Sequence, residues 1–336
     1  MTNTKTVSVV MATYNGSKYI SDQIKSLMNQ SLAPIEIIVS DDRSTDNTLE
    51  IVEAFKVTYK TDIKIITNDT RLGFRDNFLR ASLEARGDFI AFCDQDDIWK
   101  VNKLEKCSAY FDDRNISLIA HSATTIDGSS QVIGEFRQGI NKTKIKSPMS
   151  YDIWSTFWGF SLVFRREILY ITSAKDRFID YISPGHMIAH DRWVCFLGQM
   201  VGATAEIDDC LVEYRQHQNN AFGQGTRGMF TTTSDIKTRS LNYIDATSRM
   251  LEIVRNLPKE TSIDFPLYDS SKCIDFVERS LAQLHSRHKV YLGQSGLASL
   301  RHICTGVIQG KYRGIHDNKI RWKSLVRDLE FAASRT

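Results

Sequence analysis

The chain has 336 residues, of which 42% are hydrophobic and 25% charged, with only 5 prolines; this profile excludes a disordered or fibrous protein and suits one large or two modest globular domains. A formal net charge of +3 is too small to argue for nucleic acid as a partner. No run of about 18 apolar residues is present to span a bilayer, the N-terminus lacks the h-region of a signal peptide, and six scattered cysteines without a Cys-x-x-Cys pair read as reduced, buried thiols of a cytosolic protein.

In chain order, residues 6–13 form a β-rich run that stops at Tyr14, Asn15 and Gly16, and helical spacing follows through Ile20, Ile24, Leu27 and Met28. Pro34 opens a second strand over 35–40, followed by Asp41-Asp42-Arg43-Ser44-Thr45-Asp46 and a helix carrying Leu49, Ile51, Val52 and Phe55. A third strand over 63–67 leads through Asn68, Arg71 and Gly73 into a helix with Phe74, Phe78 and Leu79. The fourth, over 89–93, ends abruptly in Asp94, Asp96 and Asp97. Strands alternating with helices in this way predict βαβ units and a mostly parallel sheet. The carboxyl ends of such strands face the ligand crevice, so four polar strand ends in register point to a nucleotide site. Carboxylates there suit Mg²⁺ or Mn²⁺, which usually bind through one or two carboxylates plus substrate phosphates. The simpler alternative is a solvated acidic loop with Asp97 as a helix cap. A nicotinamide site is disfavoured, because the first turn has one glycine where the Gly-x-Gly-x-x-Gly fingerprint needs three, and no Gly-x-x-x-x-Gly-Lys loop is present.

Further on, a helix is expected over 103–111, a strand over 117–122, and a mobile loop to Pro148 containing Lys142, Lys144 and Lys146. Residues 157–167 read as an aromatic strand before a helix, in which Trp158 and Phe160 either stack on a ligand or pack in the core. His190-Asp191-Arg192-Trp193 precedes the apolar helical run 194–201, where Asp191 serves at least as a first-turn acid. A final strand over 205–214 delivers Arg215 and His217, and the glycines of 223–228 read as a hinge. The remainder reads as helices over 236–256, 269–292 and 297–308. It is basic from His285 onward, which is either a solvated face or a docking face for anionic lipid.

Val-Ser-Val-Val-Met-Ala-Thr-Tyr-Asn-Gly, then Ile-Val-Ser-Asp-Asp-Arg-Ser-Thr-Asp-Asn-Thr, then Asn-x-x-x-x-Gly-Phe, then Phe-Cys-Asp-Gln-Asp-Asp-Ile-Trp together resemble the family-2 glycosyltransferases, and most closely their bacterial rhamnosyltransferase-like branch. The resemblance implies a GT-A fold, an α/β nucleotide-diphosphate-sugar-binding domain over residues 1–225 with a mostly parallel central sheet, followed by a helical C-terminal region over 226–336. It implies an inverting glycosyltransferase of surface-polysaccharide biosynthesis. The donor would be a nucleotide-diphosphate sugar and the acceptor a saccharide or lipid-linked saccharide. Thr13, Tyr14, Asn15, Asp42, Gly73 and Asp94 would bind the nucleotide sugar, Asp96 and His217 would hold Mg²⁺ or Mn²⁺ on the diphosphate, and Asp191 would be the general base. The family has Glu-Asp or Asp-Asp where this chain has His190-Asp191, so only the first residue's role departs. Trp99 and Trp158 are expected on the acceptor side. The protein would be cytoplasmic, with peripheral contact to the inner face of the membrane. A non-catalytic sugar-nucleotide-binding subunit and an Asp-dependent phosphotransferase are the alternatives.

Overall fold

The computed structural model describes residues 5–58, 62–217 and 233–335, the last span without the side chains of 233 and 234. Its elements are β1 Val7–Thr13, α1 Ile20–Met28, β2 Glu36–Asp41, α2 Thr48–Thr58, β3 Ile63–Thr67, α3 Phe74–Ser82, β4 Phe89–Asp94, β5 Ile98–Trp99 and α4 Lys103–Ser108, followed by β6 Ile116–Ile126, β7 Val132–Phe136, β8 Lys144–Lys146, β9 Leu162–Arg165, α5 His190–Val201 and β10 Ala203–Arg215. The chain ends in α6 Thr233–Arg255, α7 Thr261–Asp264, α8 Ser270–Leu292, α9 Gly296–Ile308 and α10 Trp322–Ala333.

One sheet runs β3-β2-β1-β4-β9-β6-β10-β5, with β7 on β6 and β8 on β10. It is parallel through β3-β2-β1-β4 and again between β6 and β10, and the antiparallel β9 joins the two halves. The expected α/β architecture with a mostly parallel central sheet and C-terminal helices is therefore observed. Burial of both sheet faces explains the continuous apolar strands. Val9, Met11, Ile37, Val39, Ala91 and Cys93 point to one core, while Val10, Ile38, Ile90 and Phe92 point to the other, the two-residue alternation of a pleated strand. The second core also takes in Met250 and Val254 of α6 and Cys273, Phe276 and Val277 of α8, so these helices share a core with the sheet.

Four expectations need correction. Residues 128–147 are not a plain loop: β7 pairs with β6, and β8 pairs with β10, where Lys144 and Lys146 reach the buried Glu206 at 2.9 and 3.3 Å. The aromatic stretch from 157 is a strand only over Leu162–Arg165, preceded by a 3-10 turn over Gly159–Ser161. Helix α10 was hidden in the basic tail. Cysteines 93, 107, 195 and 273 are buried and free, whereas Cys304 is exposed. The expected hinge at 223–228 lies outside the described residues.

Candidate active site

The parallel register aligns Thr13 with Asp41, Asp41 with Thr67, and Ala12 with Asp94, so the four strand ends share one edge. The loops that leave them are tied together. The Asn15 amide donates to Ser44 Oγ at 2.9 Å, the Thr45 amide to Asn15 Oδ1 at 2.8 Å, the Gly16 amide to Thr48 Oγ1 at 2.8 Å and the Ser17 amide to Asp46 Oδ2 at 3.0 Å. Gln95 clamps Tyr14 from the other side: its Oε1 accepts from the Tyr14 amide at 3.0 Å, and its Nε2 donates to the Tyr14 carbonyl at 3.1 Å. A Cβ on Gly16 would sit 2.2 Å from Gln95 Oε1, so a larger residue there would displace the end of the Gln95 side chain from its clamp on Tyr14.

Thr13 and Asp42 are buried. Thr13 donates to Asp41 Oδ2 at 2.8 Å. Asp42 accepts from the amides of Leu72 and Gly73, both at 2.7 Å, and from Asn68 Nδ2 at 3.0 Å. Asp42 thus holds Gly73, whose φ is 75°, in the left-handed region that glycine tolerates. The Arg71 guanidinium lies 3.8 Å from the Tyr14 ring centroid, an arrangement of cation and aromatic face.

At the end of β4 the electrostatics become unusual. Burial, then the neighbouring carboxylates of Asp96 and Asp191, push Asp94 up to about 7. Burial and the same acidic neighbourhood drive the fully buried Asp97 well above the carboxylate range, although its Oδ1 accepts from the Arg215 amide at 2.9 Å. Arg215 Nε donates to the Asp96 carbonyl at 2.7 Å, pinning the end of β10 to the acidic turn. Two residues later His217 Nε2 lies 2.8 Å from Asp96 Oδ2 and its ring 5.1 Å from that of Tyr19. Among the described residues no three His, Cys, Asp or Glu side chains are arranged to enclose a metal. The Asp96–His217 pair, beside carboxylates that resist ionising together, has the donor chemistry of a site that substrate phosphates would complete.

Asp191 sits in the first turn of α5, accepting from the Arg192 amide at 2.7 Å, and its neighbour His190 packs edge-on against Phe92 of β4 at 4.9 Å, which brings the start of α5 to the carboxyl half of that strand. The segment before it is fixed by Asp180, which is fully buried. Asp180 pairs with Arg75 of α3 and Arg192 of α5, each at 2.8 Å, and accepts from the Ile182 amide at 2.8 Å. Burial alone would raise this carboxyl, yet Arg192 and then Arg75 help to hold it below the usual range. Sequence reasoning missed Asp180 and Gln95, because their partners lie 105 and 81 positions away in the chain.

His190 is not polar in its surroundings. Its ring stacks on Phe78 at 4.1 Å and meets Phe92 edge-on at 4.9 Å, and burial pushes its pKa from 6.5 to about 4. The unfolded chain therefore binds a proton at His190 that the folded chain refuses. This contribution to stability is present in full above about pH 6.5 and is lost as pH falls towards 4. Denaturant unfolding of His190→Leu against wild type should show the variant losing about 3 kcal/mol less over that window; parallel pH dependences would show that His190 is not the group responsible.

Trp99 is only 3% exposed and packs in the core, with Lys103 Nζ 3.4 Å above its ring, so it is not on the acceptor side as expected. Trp158 is half-buried in a cluster with Phe136, Phe160 and Tyr214.

Residues 8–171 match the family described as Glycosyl transferase family 2. The dTDP-rhamnosyl transferase RfbG of Shigella flexneri is 31% identical over 222 residues, covering 63% of this chain and 73% of that protein. The Escherichia coli protein named UDP-Glc:alpha-D-GlcNAc-diphosphoundecaprenol beta-1,3-glucosyltransferase WfgD is 39% identical over 132 residues, 39% of this chain and 50% of that protein. The crystal structure of Staphylococcus aureus TarS 1–349 in complex with UDP-GlcNAc superposes with a TM-score of 0.57 at 16% identity, over 98% of this chain and 91% of that one, a likeness of fold. With a sheet of this topology, four strand ends at one edge and a relative of this length and identity, the chain belongs to glycosyl transferase family 2 and is a glycosyltransferase of GT-A fold.

Proposed function

We propose that the protein is an inverting glycosyltransferase of bacterial surface-polysaccharide biosynthesis, moving a sugar from a nucleotide-diphosphate donor to a hydroxyl of a saccharide or lipid-linked saccharide. The observation that supports this reading is that Asp94 and Asp96 end β4 at the carboxyl edge of the sheet, while the start of α5, which carries Asp191, packs through His190 on Phe92 of that same strand. The similarity to WfgD, whose name gives a lipid-linked saccharide acceptor, supports the acceptor class, and the similarity to RfbG, named for dTDP-rhamnosyl transfer, supports a nucleotide-linked sugar as donor.

In this reading Tyr14, Asn15 and Gly73 present the base and ribose site, on a floor built by Thr13 and Asp42. Asp94 contacts the donor beside the diphosphate, and Trp158 lies towards the acceptor. Asp96 and His217 would hold Mg²⁺ or Mn²⁺, which when bound supplies charge neutralisation on the diphosphate. Asp191 accepts the acceptor hydroxyl's proton as that oxygen bonds to the anomeric carbon. The bond from that carbon to the diphosphate oxygen breaks, and the electron pair leaves with the nucleoside diphosphate. A carboxylate is base enough, because the hydroxyl becomes acidic only as the new bond forms.

A thermal-shift panel of UDP-, dTDP- and GDP-sugars with and without Mn²⁺ or Mg²⁺ tests the site. One nucleotide class should raise the melting temperature in a metal-dependent way, equivalent to about 2.7 kcal/mol at a hundredfold excess over its dissociation constant, and Asp96→Asn should remove the metal-dependent part. An identical shift with and without metal would overturn the assignment of Asp96 and His217. No shift with any donor would favour a non-catalytic subunit.

A further inference from the structure

Helices α9 and α10 pack on one another and on α8 around a small core of Val290, Tyr291, Ile303, Tyr312, Phe331 and Ala332. Each carries an apolar stripe on its outward side, where a fully solvated helix would be polar. On α10, Trp322, Val326 and Leu329 are 63%, 47% and 41% exposed; spaced at i, i+4 and i+7, they form one stripe along the helix. On α9, Leu297, Leu300, Val307 and Ile308 are exposed and fall within an arc of about 100° at 3.6 residues per turn. Scattered surface leucines mean little, but two neighbouring helices that each keep an ordered apolar stripe in water mark an interaction surface.

The flanks of these stripes identify the partner. Arg301 borders the stripe of α9, Lys323 lies beside that of α10 with Glu330 between them and Arg327 further round on the same flank, and Lys311, Arg313 and Lys319 lie between the helices. The acids exposed in the same stretch are Asp317 and Glu330, since Asp328 is buried against Arg287, Tyr291 and Tyr312. None of Arg301, Lys319, Lys323 or Arg327 forms an ion pair among the described residues. A second copy docked through this face would set like charge against like charge. A surface that is negative outside and apolar just beneath complements it, and a tryptophan at the start of α10 suits the headgroup level of a bilayer. No helix among the described residues is long and apolar enough to cross a membrane, so contact through these stripes would lie in the interface plane.

We propose that α9 and α10 form a peripheral docking face for an anionic lipid bilayer, entered by Trp322, Val326, Leu329, Leu297 and Ile308 and steered by Arg301, Lys323 and Arg327. The face involves none of the residues assigned to sugar transfer, so it stands or falls separately from the catalytic reading.

Sedimentation of the full chain with phosphatidylcholine vesicles, with and without phosphatidylglycerol, tests it. Binding should be about tenfold or more tighter with phosphatidylglycerol present and should weaken as salt rises. Trp322→Ser combined with Val326→Ser should reduce it at least about tenfold, and Lys323→Glu with Arg327→Glu should abolish the preference for anionic lipid. The substituted side chains are exposed, so far-UV circular dichroism and the donor-induced thermal shift should stay as in wild type, which separates loss of docking from loss of fold. Equal partitioning onto neutral and anionic vesicles would overturn the proposal. So would a dimer seen by light scattering that Trp322→Ser with Val326→Ser dissociates, since that would assign the face to a second copy.

Discussion

Asp191→Asn is expected to lower the rate of sugar transfer by about 10²–10⁴-fold, the usual contribution of a positioned general base, while leaving donor affinity near that of wild type. Its structural role survives the change, because the asparagine oxygen can still accept from the Arg192 amide as Asp191 Oδ1 does at 2.7 Å. Its electrostatic role also changes in a readable direction. Asp191 is one of the carboxylates that raise Asp94 to about 7, so neutralising it should let Asp94 ionise at lower pH and should not weaken the hold on a negatively charged diphosphate. Transfer rates at saturating donor, with donor dissociation constants from calorimetry, check both halves. An unchanged rate would remove Asp191 from the base role, and a large loss of donor affinity would move it into the donor site.

Asp180→Ala is expected to cost about 3–5 kcal/mol of stability, because it removes the buried carboxylate that pairs with the largely buried guanidinium groups of Arg192 and Arg75 and takes the acceptor from the Ile182 amide. The same change loosens the start of α5, where Arg192 follows Asp191 directly. A displacement of about 1 Å at a reacting group is enough for a loss of about 10²-fold, so the rate should fall even at temperatures where the variant remains folded. Denaturant unfolding and transfer kinetics on the same samples test this. The donor's apparent affinity should be less affected than the rate, because the hydrogen bonds of Asp180 go to Arg75 of α3, to Arg192 of α5 and to the amides of Ile182 and Ser183 rather than to the loops after β1 and β2. A variant with wild-type stability and rate would show that the Arg75–Asp180–Arg192 cluster does not position the base.

The first hundred residues could be read from the chain because their strands are buried on both faces and each ends in residues that cannot be buried without partners. Val9, Ile38 and Phe92 had to be inside; Asn15 and Asp96 had to be at an edge. Legibility failed where a residue's role depends on a distant partner. Lys144 and Lys146 look solvated until Glu206 is placed opposite them. Trp99 looks like an aromatic beside an acidic motif, yet the antiparallel pairing of β5 with β10 turns it inward. His190 stands where the sequence resemblance leads one to expect an acidic residue, and the rings of Phe78 and Phe92 around it explain why a neutral side chain fits there. In α10 the basic residues masked an amphipathic helix whose buried side is set by Asp328, Phe331 and Ala332.

The cross-links among the loops after β1, β2 and β4 bear on how a donor is chosen. Ordering a flexible residue costs roughly 1–2 kcal/mol, and here the Asn15–Ser44, Gly16–Thr48, Ser17–Asp46 and Tyr14–Gln95 contacts have already met that cost during folding. In the proposed reading, a nucleotide arriving at this edge meets loops already tied together, so little of its interaction energy is consumed in shaping the protein. The same rigidity limits adaptation: a donor with the wrong base cannot recruit these loops to a new shape, and discrimination is built in before any encounter occurs.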